Sequence, residues 1–297
     1  MAQNKFKGLG IALVTPFKSD GSIDYDALFR LVEYQIKNGA DFLCIMGTTA
    51  ETPCLSAEEK KTLKSRVVER VAGRVPILMG CGGNNTSAIV SELKTADWKG
   101  IDGVLSVCPY YNKPSQEGLY QHFKAVAEAS PVPVVLYNVP GRTGVNMNAD
   151  TTLRLARDFD NIVAIKEASG NITQMDDIIK NKPPHFDVIS GDDGITFPLI
   201  TLGAVGVISV IGNALPAEFS RMVRLALRGD YGSALAIHHQ FAELFKLLFV
   251  DGNPAGVKAM LHAMGMIENQ LRLPLVPTRL TTMEKISTIL RELNIKY

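Results

Sequence analysis

NIVAIKEASGN, residues 161–171, begins as a buried strand should and then breaks its own pattern. Ile162, Val163, Ala164 and Ile165 give almost nothing to water, and Lys166 follows directly, where burial of an ammonium is costly unless its charge is paired or lost. Two readings are open. Lys166 reaches solvent or pairs with a nearby acid such as Glu167, the usual fate of a lysine near a strand end. Alternatively, desolvation lowers the amine from its ordinary pKa of ~10.4 toward neutrality and leaves a nucleophile able to form a Schiff base with a carbonyl substrate.

Working outward, the same kind of short apolar run recurs along the chain. GIALVTP starts at Gly10, DFLCIMG at Asp41, VPILMG at Val75, DGVLSVCP at Asp102, VPVVLYN at Val132, FDVISG at Phe186 and AVGVISV at Ala204. The runs are continuous rather than alternating, as expected of parallel strands covered on both faces. Helical signals lie between them, for instance the capping box Ser56-Ala57-Glu58-Glu59 opening a stretch that ends near Gly73. Eight such units predict the α/β class and a (β/α)8 TIM barrel; a doubly wound sheet is the alternative, but no phosphate-binding fingerprint stands near the first turn. After Val210 no strand pattern appears, and Pro216 to Tyr297 reads as three or four helices. The expected organisation is a catalytic barrel over residues 1–215 and a C-terminal helical extension over 216–297. Lys166 then ends the sixth strand, on the barrel face where chemistry gathers.

Composition fits a folded enzyme of small molecules. At 297 residues, 46% hydrophobic and 21% charged, the chain is long enough for one large core. Its 31 basic and 30 acidic residues are spread evenly to a net charge of +1, which gives no electrostatic footprint for nucleic acid or an anionic membrane. Cys44, Cys54, Cys81 and Cys108 form no C-x-x-C pair, which fits a reducing compartment. The opening MAQNKFKGLGIALVTPF has early lysines and a short apolar run but no small-residue cleavage site, so it reads as a first strand rather than a secretion signal. The apolar stretch around Ala204 to Ile211 is too short and glycine-rich to span a bilayer, and a cytoplasmic location is expected.

Other strand ends carry chemistry too. Gly47-Thr48-Thr49-Ala50-Glu51-Thr52 follows the second strand, Pro109-Tyr110-Tyr111-Asn112-Lys113-Pro114 the fourth, and Tyr137-Asn138-Val139-Pro140-Gly141-Arg142-Thr143-Gly144 the fifth. Singly, the threonines read as a helix-capping turn and the tyrosines as packing residues. Together an amine, phenols, threonine hydroxyls and an arginine suit carbonyl chemistry on a carboxylate-bearing substrate, with tyrosine moving protons and Arg142 gripping a carboxylate. Gly80-Cys81-Gly82-Gly83-Asn84-Asn85 lacks the lysine and hydroxyl of a P-loop. His238-His239 points to different helix faces, and His122, His185 and His262 are isolated, so no metal and no cofactor are expected.

GTTAET, PYYNKP, YNVPGRTG, IKEASGN, SGDD and GVISV together resemble the pyruvate-dependent class I aldolases and lyases, and among them the dihydrodipicolinate synthase family, over essentially the whole chain including Asn253-Pro254 and Val257-Lys258. The resemblance implies a condensation of pyruvate with L-aspartate 4-semialdehyde in lysine and diaminopimelate biosynthesis. By it, Lys166 takes pyruvate as a Schiff base, with Tyr137 as proton donor and acceptor. Thr48 and Tyr111 complete the relay, Tyr111 being lent by the neighbouring subunit of a tight dimer. Thr49 and Ile208 hold pyruvate, Gly191 lines the pocket, and Arg142 receives the carboxylate of the semialdehyde. Members are usually homotetramers, dimers of dimers. Sialic acid lyases and keto-deoxy-sugar aldolases share the lysine and are the neighbouring alternatives; Arg142 favours the synthase, while an intact lysine and tyrosine argue against a silent small-molecule sensor. The family turn commonly has glycine where Ala50 stands, so either the backbone is helical there or the loop is shifted. Ala57, Lys60 and Ala88 occupy positions where lysine-inhibited members carry a histidine and a glutamate, although Asn84 and Tyr110 match; weak or absent feedback by lysine is expected.

Overall fold

The computed structural model describes residues 4–293. Eight strands form the core: β1 (Gly8–Ala12), β2 (Phe42–Ile45), β3 (Ile77–Gly80), β4 (Gly103–Val107), β5 (Val134–Asn138), β6 (Ile162–Glu167), β7 (Asp187–Ser190) and β8 (Gly206–Ser209). Each pairs in parallel with the next, and β8 returns to β1 to close the barrel. The fold is a (β/α)8 barrel, and the doubly wound alternative is excluded.

Strand residues alternate between two cores. Leu43, Ile45, Val134, Leu136, Ile162, Ile165 and Val188 face outward and are buried under the helices. Phe42, Cys44, Leu78, Leu105, Val135, Ala164, Ile189 and Ile208 fill the barrel interior. Phe6 and Phe42 meet edge to face at 5.4 Å near the N-terminal ends of the strands. Gly10 makes room for that plug, because a Cβ there would lie 2.2 Å from the Phe42 ring. With the interior filled from below, only the C-terminal mouth is left to hold a substrate.

The capping box forms as read: Ser56 accepts from Glu59 N–H and Glu59 accepts from Ser56 N–H at the start of the helix Ala57–Val71. Four helices follow the last strand among the described residues, Pro216–Leu227, Tyr231–Leu247, Ala255–Ala263 and Leu280–Glu292. Pro216–Leu227 packs on β1, and Tyr231–Leu247 packs on it and on Asp193–Leu202. Among the described residues no helix is long and apolar enough to cross a membrane.

Candidate active site

The period-2 geometry of β6 decides the lysine question. Lys166 points inward and Glu167 outward, since successive side chains of a strand take opposite faces. The Glu167 carboxylate is occupied there by Asn138 Nδ2 (3.1 Å), Ser169 N–H (2.8 Å) and Gln174 Nε2 (3.1 Å), and burial pushes it above the usual carboxylate range. Pairing of Lys166 with Glu167 is therefore excluded. The lysine is only 6% exposed, and among the described residues its amine has no ion-pair or hydrogen-bond partner. It lies instead over the Tyr137 ring, 4.4 Å from the centroid. Strand pairing sets that contact, because Tyr137 of β5 is the register partner of Lys166.

A cavity of about 510 Å³ opens at this point, lined by Lys166, Tyr137, Thr48, Thr49, Arg142 and Gly191 together with residues of the helical tail. Thr48–Ala50 forms a single tight helical turn after β2, so Ala50 takes helical geometry; the left-handed residue is Glu51, at φ 54°. Thr52 Oγ1 donates to Gly47 O at 2.8 Å and Thr15 Oγ1 to Ala50 O at 2.8 Å, which fixes the turn from both sides. Arg142 sits exposed on the short turn Pro140–Thr143, ended by Gly144 at φ 73°. Gly191 must lack a side chain: a Cβ there would come within 3.1 Å of Lys166 Cε and 2.7 Å of Ala168 Cβ.

Two expected site residues lie elsewhere in the single chain. Ile208 is buried in the barrel interior and does not line the cavity. Tyr111 is 88% exposed on a backbone of φ 73°, away from the cavity. A second hollow of about 370 Å³ adjoins the first, sharing Gly47, Thr48, Tyr137, Val139 and Arg142 and reaching Tyr110 and Lys60.

Several contributors were not singled out as site residues in the sequence. Phe245, Lys246, Phe249 and Asn253 line the cavity from the tail, and Asn253 Nδ2 donates to Thr49 Oγ1 at 2.9 Å. Cys44 also lines it; burial pushes its thiol up to about 11, against the pull of the Lys166 charge, so it is no competing thiolate. Asp193 accepts from Val210 N–H (3.0 Å) and Ile211 N–H (2.8 Å), holding the turn after β8, and burial pushes its carboxyl up to about 6. Behind Thr49, the wholly buried Lys258 pairs with Glu51. A lysine inside the apolar run Val257–Leu261 was the available signal for that pair.

Comparison with known proteins identifies the family. The model of the Dihydrodipicolinate synthetase family matches residues 5–293. A 4-hydroxy-tetrahydrodipicolinate synthase of Phocaeicola vulgatus is 73% identical over 296 residues, covering 100% of both chains, and one from Parabacteroides distasonis is 70% identical with the same coverage. The crystal structure of dihydrodipicolinate synthase from Thermotoga maritima superposes with a TM-score of 0.95 at 43% identity, covering 98% of this chain and 99% of that one.

Proposed function

The chain belongs to the dihydrodipicolinate synthetase family, and on that premise we propose that it joins pyruvate to L-aspartate 4-semialdehyde to give 4-hydroxy-tetrahydrodipicolinate, in lysine and diaminopimelate synthesis. The observation that carries this reading is a buried lysine, without a charged or hydrogen-bonding partner among the described residues, over a tyrosine ring in a cavity that also holds an exposed arginine. The Lys166 amine attacks the pyruvate ketone, the carbinolamine loses water, and loss of a methyl proton from the imine gives an enamine that adds to the aldehyde. The amino group of the semialdehyde then displaces the lysine and closes the ring.

Tyr137 and Thr48 carry protons through these stages, with Tyr111 supplied by a neighbouring subunit; the exposure of Tyr111 at a left-handed turn supports that role. Thr49 holds pyruvate; Gly191 leaves the lysine stem its space; Arg142 binds the carboxylate of the aldehyde. The division into a barrel over 1–215 and an extension over 216–297 belongs to the same proposal, with the extension closing the pocket through Phe245 and Asn253. So do a cytoplasmic location, a homotetrameric assembly, and weak or absent inhibition by lysine; potent inhibition at micromolar lysine would overturn the last.

The test is turnover of pyruvate with aspartate semialdehyde, coupled to the next reductase, beside Lys166→Ala and competing sugar aldehydes. Lysine-dependent turnover of the semialdehyde supports the reading. Silence with it, together with synthesis or cleavage of a keto-sugar acid, moves the chain to the sister aldolases.

A further inference from the structure

The residues that follow Tyr137 and Lys166 in the chain, Asn138 and Glu167, are themselves register partners, and their side chains meet on the outer face of the barrel. Both Glu167 oxygens lie within reach of Asn138 Nδ2, at 3.2 and 3.1 Å. Asn138 also ties down the next loop, accepting from Met147 N–H at 3.0 Å and donating to Asn146 Oδ1 at 2.8 Å. Gln174 closes the circuit: its Nε2 donates to Glu167 at 3.1 Å while its Oε1 accepts from Asn146 Nδ2 at 2.8 Å. Asn138 and Glu167 are buried, whereas Asn146 is exposed at the edge of the network. Such a circuit is rigid because every member has a fixed donor or acceptor duty.

We propose that Asn138 and Glu167 are positioning residues for the reaction above: their clasp locks Tyr137 against Lys166 across two strands and, through Asn146, holds the loop that carries Arg142. The inference rests on the Schiff-base reading. Its physical core is that β5 and β6 run in regular register from Val135↔Ala164 up to Asn138↔Glu167, which sets Tyr137 beside Lys166, and that at the end of this ladder side-chain bonds add to the backbone pairing in holding the two strands together. The clasp stands at the last pair of the ladder. A carboxylate is needed at 167 because three N–H donors converge on it; an amide of the same shape would set a donor against donors.

Glu167→Gln and Asn146→Ala separate the two halves. Borohydride trapping of the pyruvate imine, followed against time in single turnover, is expected to slow about ten- to a hundredfold in Glu167→Gln. In Asn146→Ala trapping keeps the wild-type rate while KM for the aldehyde rises. His122→Ala, a buried polar site away from the cavity, supplies a control of comparable melting loss with normal trapping. Adding Gln174→Glu to Glu167→Gln returns an acceptor to the circuit and is expected to restore part of the rate. Trapping in Glu167→Gln as fast as in His122→Ala overturns the inference alone. A wild-type chain that traps no pyruvate overturns the Schiff-base reading and this inference with it. Should Glu167→Gln not fold, an unchanged aldehyde KM in Asn146→Ala, an exposed site, is itself enough to sink the loop-holding role.

Discussion

Lys166 and Lys258 both interrupt apolar runs and both are buried, yet the chain treats them oppositely. At the mouth, Lys166 has an aromatic face beside it and no counter-ion among the described residues. At the seam between barrel and tail, Lys258 is 0% exposed, pairs with Glu51, donates to Gln270 O at 2.9 Å and lies over the Phe17 ring at 4.2 Å. Burial pushes the Lys258 amine down to about 8, with Glu51 pulling the other way, and a second cation, Arg272, reinforces the seam by bonding Glu59 and the Gly21 carbonyl. A buried ammonium that is satisfied ties elements together; one left unsatisfied is free for chemistry. The seam serves the mouth, because Glu51 follows the Thr48–Ala50 turn directly and Asn253 of the tail bonds Thr49.

The contrast predicts opposite outcomes for the two lysines. Lys166→Ala is expected to abolish imine trapping and lower turnover by about a thousandfold or more while leaving the melting temperature equal or higher, since no partner among the described residues is stranded. A large loss of stability would show that Lys166 is paired after all. Lys258→Met leaves the buried Glu51 carboxylate without its counter-ion, held among the described residues only by the Arg272 backbone N–H at 3.0 Å, and is expected to cost about 3–5 kcal/mol in denaturant unfolding. Adding Glu51→Gln to Lys258→Met should recover most of that loss; no recovery would mean that the pair is not what holds the seam.

Arg142→Ala, at an exposed position of the mouth, should leave stability and pyruvate trapping unchanged and weaken the aldehyde by ~1.5–3 kcal/mol, read as KM. Gly191→Ala pushes a methyl toward the Lys166 stem, so a loss of ~1–3 kcal/mol in stability and slower imine formation are expected. Full activity there would show that the stem has room to move.

The smallest effects are in pH. Hydrogen bonds from Arg272 hold Glu59 down to about 2, so its contribution to the seam is present above its ordinary 4.5 and lost as pH falls through about 2. Asp193, raised to about 6 behind the mouth, has the opposite sign: its contribution is present below 3.8 and lost as pH rises through about 6. Unfolding of Glu59→Gln and Asp193→Asn across pH 2–7 should flatten these slopes separately; matching slopes in both variants would erase the distinction.

All eight strands were legible, because a strand covered on both faces must be a continuous apolar run, and that constraint is local. The cap at Ser56 was legible for the same reason. Six expected site residues meet in one cavity because each stands at the C-terminal end of a strand or in the loop that follows it, and the barrel brings all such ends to one face. The tail's share of the pocket was not legible, since Phe245 and Phe249 look like ordinary packing residues of an amphipathic helix. Nor was the fate of Ala50, which depended on the left-handed step falling one residue later, at Glu51.

The sequence by itself determined the order of strands and helices, the class of barrel and the presence of a lysine at the end of β6, all of which follow from patterns within a few residues of each other. Only the tertiary structure decided which buried lysine keeps a counter-ion. Glu51 and Lys258 stand 207 positions apart and meet because the barrel closes and the tail folds back over its mouth, while Glu167, next to Lys166 in the chain, is turned away by the strand's two-residue period.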